Sequence, residues 1–289
     1  MLIPYSQPLD IALTLESGQA FRWKREGDWI CGVIFNNIVK IRQTEEGIEF
    51  KCAPDNESVM EPFVRDYLSL DDNLEAICEE INVDEGINLA LGLHPGMRIL
   101  RQEPWECLIS FICSANSNIP RITANVEDMS KHFGTRLKLG DYERSAFPTP
   151  DALAEAGEHQ LRRLRLGFRA KYVSAVARII AAGDMDLFGL RKASYQEALD
   201  TLTTLPGVGD KVANCILLFS LDKLEAFPVD VWIDRVLREW YSKEITLGEE
   251  KKLSRKAMRF WAQRHFGSYA GYANQYLFQG RRLQGKLKD

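Results

Sequence analysis

The spacing of apolar residues changes at Pro54, and this change constrains the fold more than any other feature of the chain. From residue 1 to about residue 53, short apolar runs separated by turn residues predict strands at 29–34, 38–43 and 47–52. Beyond Pro54, apolar residues recur every three or four positions, which is the spacing of amphipathic helices. The sequence therefore predicts an α+β protein in which an N-terminal antiparallel β-sheet domain packs on an all-helical body.

The predicted boundary between these two parts lies near residue 95. Residues 1–95 are expected to hold the β-domain with a group of acidic helices, and residues 96–289 the helical body. The expected helices are 57–68, 73–80, 84–92, 104–114, 119–133, 158–165, 170–182, 193–204, 210–220, 231–241, 249–265 and 268–280.

Cysteine usage and hydropathy limit the class of protein. The six cysteines form no C-x-x-C pair, have no histidine at zinc-finger spacing and include no C-terminal four-cysteine cluster, so we expect free thiols and neither a structural zinc nor an iron–sulfur cluster. The N-terminus shows no secretory signal, and the apolar run 216–221 is too short to span a bilayer. We therefore expect an intracellular protein that binds no membrane, in the cytoplasm or nucleoid of a prokaryote or the nucleus of a eukaryote.

The distribution of charge is uneven, although the net charge is only −4. Residues 54–88 carry eleven acidic side chains and one basic side chain, whereas residues 251–289 carry ten Lys or Arg and one acid. Residues 159–182 carry six Lys or Arg and no acid. These runs have two possible explanations. They are either solvated helix faces, or they form a basic face that binds phosphate groups beside an acidic lobe.

A tight turn at 205–209, with the sequence LPGVG, separates two of the predicted helices. Its glycines, Gly207 and Gly209, allow positive φ and leave the backbone exposed. Backbone N–H groups at such a turn, followed by a helix N-terminus, suit a phosphate group. The same residues also suit an ordinary corner between two helices, and the spacing is not that of a Walker loop.

Two groups capable of chemistry follow this turn. Lys211 lies in the first turn of the next helix, where its amine is either a nucleophile or an exposed surface cation. Cys215 lies four residues later on the same helix face, where it is either a small wall beside the amine or a core residue. Asp230 precedes the predicted helix 231–241, where its carboxylate suits an N-cap and also suits stabilisation of positive charge.

The pattern L-P-G-V-G-x-K-V-A-x-C, followed by P-V-D, resembles the helix-hairpin-helix DNA glycosylases and, among them, the 8-oxoguanine DNA glycosylases. Further segments resemble that family in the same order and extend the resemblance to nearly the whole chain: 17–23, 100–122, 166–173 and 269–278. The resemblance implies a monomeric base-excision-repair enzyme that acts on double-stranded DNA containing 8-oxoguanine. It would release the base and then cut the strand as a lyase, with no metal and no cofactor.

The resemblance also implies residue roles for the reaction and the base. Lys211 would attack C1′ of the sugar, and Asp230 would stabilise the cationic transition state. The flipped base would lie in a pocket that includes Gly18, Cys215, Phe278, Asn274 and Trp232. The Gly18 carbonyl would accept the N7–H of 8-oxoguanine, which guanine lacks, and Cys215 and Phe278 would enclose the base.

A second group of residues would contact the DNA around the lesion. Asn116 would fill the gap left in the duplex, Phe168 would act as a wedge, and Arg121 and Arg169 would donate to the unpaired cytosine. Gly207 and Gly209 would face the phosphate backbone.

At some positions the sequence departs from the common pattern of the family. Asn274 replaces a glutamine at the Watson–Crick edge of the base, and Trp232 replaces a histidine near the aspartate. Phe168 replaces a tyrosine and Ser117 an asparagine. These changes leave the core reaction in place and affect the expected strictness of base and opposite-base selection.

Two alternative functions are compatible with the hairpin motif. A helix-hairpin-helix glycosylase for alkylated or other damaged bases would activate water and usually lack the lysine. A non-catalytic helix-hairpin-helix DNA-binding module would keep Gly207 and Gly209 but has no need of Lys211, Cys215 and Asp230 together.

Overall fold

The N-terminal part is a five-stranded antiparallel sheet, in a computed structural model that describes residues 1–246 and 253–286. The strands are β1 (Leu2–Pro4), β2 (Lys24–Glu26), β3 (Trp29–Ile34), β4 (Asn37–Thr44) and β5 (Gly47–Ala53), with a short helix α1 (Ile11–Glu16) between β1 and β2. Their order in the sheet is β1-β5-β4-β3-β2. The three central strands are the predicted ones, and the meander follows from the turns between them.

The rest of the described chain is mainly helical. Its elements are α2 (Glu57–Tyr67), α3 (Leu74–Ile81), α4 (Glu85–Leu93), α5 (Pro104–Cys113), α6 (Ile119–Phe133), β6 (Arg136–Leu139), β7 (Tyr142–Ser145), α7 (Pro150–Arg163), α8 (Arg169–Ala181), α9 (Tyr195–Thr203), α10 (Asp210–Ser220), α11 (Val231–Trp240), α12 (Ser242–Thr246), α13 (Arg255–Phe266) and α14 (Ala270–Lys286). Short 3-10 turns occupy Gly189–Arg191 and Gly267–Tyr269. An antiparallel sheet followed by a helical body confirms the predicted α+β class.

Several boundaries differ from the predictions for local reasons. Helix α1 lies in the stretch expected to hold only strands, and Asp10 begins it by accepting the backbone N–H of Leu13. The β6–β7 hairpin lies where only helices were expected, because alternating residues there flank a turn at Gly140, whose φ is +60°.

The predicted helix 158–165 corresponds to the second part of α7, which begins after a kink at Gly157, where φ is +66°. The first part of α7 was not predicted, although Thr149 caps it and Pro150 occupies its first turn, a standard helix start. The predicted helix 249–265 is helical from Arg255 within the described chain, because Ser254 provides the cap, and residues 249–252 lie outside the described residues.

Two apolar cores hold the molecule together. The sheet shares one core with α2, in which Ile41 and Phe50 join Val64 and Tyr67. The second core is that of the helical body, and it also includes Leu74 of α3 and other apolar residues of α3 and α4. The acidic helices therefore bury their apolar faces in the helical core, although they follow the sheet in sequence. The predicted boundary near residue 95 stays a prediction.

At the centre of the body, α5 packs against α10, and both helices are buried along most of their length. A helix that is apolar on all sides needs such a central position. The two helices bring the C-terminal end of α5 to the N-terminal end of α10. Within residues 1–246 and 253–286, no helix is long and apolar enough to cross a membrane.

Candidate active site

A helix-hairpin-helix unit is formed by α9, the turn that follows it, and α10. Gly207 has a φ of +83°, and a Cβ at this position would lie 2.6 Å from the ring of Tyr172, so both conformation and packing require glycine. Gly209 is the N-cap of α10 and has no capping side chain. Its backbone is extended, and a Cβ there would meet no atom within 4 Å. The first N–H groups of α10 therefore remain available to an external acceptor.

This contrast predicts different effects for two alanine substitutions. Gly207→Ala should lower the free energy of unfolding by about 2–4 kcal/mol, because it combines a positive φ with a steric clash. Gly209→Ala should leave the melting temperature nearly unchanged and weaken binding to duplex DNA by about tenfold, because its methyl group would occupy the open space in front of the helix end. Thermal melting and fluorescence anisotropy measure both effects. Equal melting temperatures for the two variants would contradict the assignment.

Lys211 lies half-buried in the first turn of α10 and reaches across to α5. Its Nζ donates to Oγ of Ser114 at 2.9 Å and lies 5.2 Å from the centre of the Phe111 ring. Ser114, at the end of α5, donates its own hydroxyl to the Phe111 carbonyl at 2.7 Å. The amine is therefore held in one place by two neighbouring helices.

Cys215 lies one turn after Lys211, as the spacing predicts, and is 3% exposed. Burial raises the pKa of its thiol to about 11, while the nearby Lys211 opposes this effect. The side chain is thus a neutral, soft group at neutral pH. It belongs to the helical core and borders the amine at the same time.

Asp230 is the N-cap of α11. Its Oδ1 accepts the backbone N–H groups of Trp232 and Ile233 at 2.9 and 2.8 Å. Burial raises the pKa of the carboxyl above its ordinary value, and the two N–H donors and Lys211 counteract part of that rise. The electrostatic effect of Lys211 on both Asp230 and Cys215 shows that the structure brings these three residues together.

Helix α14 joins the two loops that border this site. Asn274 is 4% exposed, and its Nδ2 donates to the Pro228 carbonyl at 2.9 Å, just before Asp230. Gln275 donates to the Ser17 carbonyl at 3.4 Å, next to Gly18, whose φ is +92°. Phe278, one turn after Asn274, is half-buried beside the helical core.

Asn274 and Trp232, the two predicted base-pocket residues that depart from the family pattern, both contact other residues of the protein. The amide nitrogen of Asn274 donates to the loop before Asp230, and the guanidinium of Arg235 lies over the Trp232 ring, 5.2 Å from its centre. Contact of either side chain with a base stays a prediction.

Asn116, Phe168, Arg121 and Arg169 form a second group of side chains, near Ser114. Asn116 is exposed with a φ of +50°, and Phe168 is 45% exposed. Arg169 is 1% exposed and donates to the carbonyls of Ala115 and Asn116 at 2.8 and 2.6 Å.

The guanidinium of Arg169 therefore fixes the loop that presents Asn116, and its contact with a cytosine stays a prediction. Burial lowers the pKa of Arg169 below its ordinary value, and the charge of the nearby Arg121 lowers it further. An exposed amide, an exposed aromatic ring and two arginines thus converge within one small area.

Sequence reasoning missed the residues that position these groups. Ser114 holds the lysine, and Gln19 and Gln275 hold the loop of Gly18. Gln19 is fully buried, donates to the Arg98 carbonyl at 2.8 Å and accepts the Leu100 N–H at 2.9 Å. A polar side chain inside an otherwise apolar segment was the available signal, since such groups need hydrogen-bond partners.

The arrangement supplies the parts of a covalent substitution at carbon. A half-buried amine lies beside a neutral thiol, and a half-buried carboxylate lies near enough to stabilise positive charge. The open N-terminal end of α10 and the exposed Asn116 and Phe168 lie on elements next to the amine.

Comparison with known proteins assigns both parts of the chain. Residues 1–108 match the family described as 8-oxoguanine DNA glycosylase, N-terminal domain, and residues 109–263 match the HhH-GPD superfamily base excision DNA repair protein. The chain is 35% identical to the N-glycosylase/DNA lyase OGG1 of Arabidopsis thaliana, with 93% of this chain and 76% of that protein covered. It is 31% identical to the N-glycosylase/DNA lyase of Saccharomyces cerevisiae, with 93% and 82% covered.

A solved structure has the same architecture. The Clostridium acetobutylicum 8-oxoguanine glycosylase/lyase, in complex with double-stranded DNA containing cytosine opposite 8-oxoguanine, superimposes with a TM-score of 0.88 at 30% identity. The alignment covers 99% of this chain and 98% of that one. The resemblance found in the sequence is confirmed, and the chain belongs to the 8-oxoguanine DNA glycosylase family of HhH-GPD base-excision repair proteins.

Proposed function

We propose that this protein is a bifunctional DNA glycosylase and lyase that removes 8-oxoguanine from double-stranded DNA. The contact of Lys211 with Ser114 carries the proposal, because it holds a half-buried amine in a fixed position near a carboxylate. An enzyme that activates water for hydrolysis has no need of this amine. A non-catalytic binding module has no need of a half-buried Asp230 beside it.

In the proposed reaction, the damaged nucleotide is flipped out of the duplex into the site. Nζ of Lys211 forms a bond to C1′, and the C1′–N9 bond breaks with its electron pair leaving on the base, which takes up a proton. Asp230 stabilises the positive charge that develops on the sugar as this bond breaks. The amine, neutral when it attacks, then loses a proton. The C1′–O4′ bond breaks as O4′ takes up a proton, so the sugar ring opens and leaves a protonated Schiff base.

The lyase step follows from that Schiff base. The iminium withdraws electrons, so a proton leaves C2′ and the C3′–O bond breaks by β-elimination. The strand is cut 3′ to the lesion, and hydrolysis of the Schiff base returns the free lysine.

Selection of the base is proposed to depend on Gly18. In 8-oxoguanine N7 carries a proton, whereas in guanine N7 is an acceptor, so a carbonyl at this position favours the damaged base and disfavours guanine. The buried side chains of Gln19 and Gln275 hold the backbone on either side of Gly18, which gives that carbonyl a fixed position. Cys215 and Phe278 are proposed to enclose the base.

The DNA around the lesion is proposed to meet the hairpin turn and the second group of side chains. Asn116 and Phe168 are both exposed, which supports the proposal that they fill the gap left in the duplex. Arg121 and Arg169 are proposed to recognise the cytosine opposite the lesion. We also propose that the protein acts as a monomer inside the cell.

The proposal is tested with four duplexes in which 8-oxoguanine lies opposite each of the four bases. Release of free 8-oxoguanine should be fastest opposite cytosine, by about tenfold or more, because only cytosine offers the matching acceptors to both arginines. Base release and strand cutting are quantified separately under single-turnover conditions. Duplexes with 3-methyladenine serve as the comparison, and faster release of that base would favour the alkylated-base alternative.

A further inference from the structure

The carboxylate that directly precedes Lys211 is held by a different helix from the lysine itself. Nε and Nη2 of Arg259 on α13 donate to Oδ1 and Oδ2 of Asp210 at 3.2 and 3.0 Å. The Arg259 side chain is 2% exposed, whereas that of Asp210 is 45% exposed. Lys211 reaches the other way, to Ser114 on α5. The two neighbouring charges at the start of α10 are therefore kept apart.

A closed set of hydrogen bonds surrounds this pair. Nη1 of Arg259 donates to the Tyr195 hydroxyl at 2.9 Å, and that hydroxyl donates to Oδ1 of Asn214 at 2.8 Å. Nδ2 of Asn214 donates in turn to the Asp210 carbonyl at 2.8 Å. The ring of contacts joins α9, α10 and α13, so the first turn of α10 is tied to both helices beneath it.

The negative charge of Asp210 is unfavourable for binding of a DNA phosphate at the hairpin turn. Its carboxylate lies in the first turn of α10, next to the open N–H groups at Gly209. A negative charge there repels a DNA phosphate that approaches the helix end, and it also attracts the ammonium form of a neighbouring lysine. A cation that pairs with this carboxylate reduces both the repulsion of the phosphate and the attraction of the ammonium. The buried guanidinium of Arg259 is such a cation, because it lies within hydrogen-bonding distance of both carboxylate oxygens.

We infer that Arg259 is a positioning residue for the reaction, which cancels the charge of Asp210 so that the hairpin can bind a DNA phosphate. This inference rests on the proposed function, in which the hairpin binds DNA and Lys211 is the nucleophile. Arg259 contacts neither the substrate nor the reacting atoms, and it acts through Asp210.

Charge compensation predicts an order of affinities among variants of the full chain. The probe is a duplex with a tetrahydrofuran abasic-site analogue opposite cytosine, and binding is measured by fluorescence anisotropy at low and moderate salt. Arg259→Met leaves Asp210 uncompensated and should weaken binding about tenfold at low salt. Asp210→Asn should bind as tightly as the wild-type protein or up to about fivefold tighter, because Arg259 then adds a net positive charge. The double variant should return to within about threefold of the wild type.

A purely structural role gives a different order. If Arg259 only supports packing, the double variant binds no better than Arg259→Met, and that outcome overturns the inference. Weaker binding by a folded Asp210→Asn variant overturns it as well. The tenfold loss should shrink at higher salt, since screening weakens the repulsion.

Kinetics and a charge-matched control complete the test. Arg259→Met should raise KM more than it lowers kcat, because its effect is on binding of the phosphate.

The matched control is Arg65→Met, which removes the same charge from α2 in the β-domain, where Arg65 pairs with Asp71. This variant should bind DNA as the wild type does. Melting temperatures show whether each variant folds, and if Arg259→Met does not, Asp210→Asn alone decides the question.

The proposed function is tested separately. It fails if the wild-type chain releases no 8-oxoguanine, or if a Lys211→Gln variant still forms a covalent complex with DNA. Neither measurement depends on Arg259, so failure of the inference and failure of the proposed function give different results.

Discussion

Substitution of Lys211 by glutamine should abolish both base release and covalent trapping. Borohydride reduces a Schiff base to a stable amine, so the wild-type protein should form a complex with 8-oxoguanine duplex that survives denaturation. Glutamine keeps most of the side-chain volume and a polar end, but it offers no nucleophilic nitrogen. The single-turnover rate should fall by at least about 10³-fold, as expected for loss of a covalent nucleophile.

The control for this variant must separate chemistry from binding. Lys211→Gln should bind the abasic-site duplex within about threefold of the wild type, because the amine lies half-buried against α5 and not on the exposed hairpin. Lys138→Gln removes a lysine whose side chain is 65% exposed on β6, and it should be trapped as the wild type is. Trapping that survives in Lys211→Gln would falsify the assignment of the nucleophile.

The second large effect is expected for Asp230→Asn. Asparagine is also a good N-cap, so it can keep the hydrogen bonds to the N–H groups of Trp232 and Ile233 that begin α11. It loses the negative charge that stabilises the sugar cation, and the rate should fall by about 10²- to 10³-fold. A rate within threefold of the wild type would exclude an electrostatic role for this carboxylate.

The raised pKa of Asp230 adds a dependence on pH in both activity and stability. The wild-type rate should fall as the pH drops through the raised pKa, because the ionised carboxylate is the active form. A raised pKa also means that folding disfavours the charged form, so ionisation costs stability once the pH exceeds the ordinary value of 3.8.

Asp230→Asn should consequently melt at the same temperature as the wild type or higher at pH 7. That difference should close as the pH is lowered below the ordinary value of 3.8, where both folded and unfolded chains carry the protonated acid. Melting curves between pH 3.5 and pH 7.5, with the rate measured over the folded part of this range, test both parts. A marked loss of melting temperature at pH 7 would indicate that the carboxylate stabilises the fold instead.

Local sequence patterns determined much of this protein. The change of periodicity at Pro54 indicated a sheet followed by helices, because strands and amphipathic helices place apolar residues at different spacings. The four-residue separation of Lys211 and Cys215 predicted that the two side chains are neighbours on one helix face. The position of Asp230 directly before a helical pattern predicted its N-cap role. These relations lie within one helix or at its end, so the backbone geometry alone defines them.

Errors in the sequence reading arose where two local patterns competed. The hairpin of β6 and β7 was taken for helix because its alternating residues lie in a long helical region. The start of α7 was missed because Gly157 interrupts the pattern that follows Thr149 and Pro150. In both places the turn residues carried the correct signal.

Only the tertiary structure decided which side chains hold the site in place. Ser114 lies 97 residues before Lys211, and Gln275 lies 258 residues after Ser17, so no spacing rule relates them. The pairing of Asp210 with Arg259 likewise depends on how α13 packs beneath the hairpin. The groups capable of chemistry can be identified from the sequence, because it gives their residue types and their local spacing. Their partners come from the packing of distant segments, in which buried polar groups must find one another.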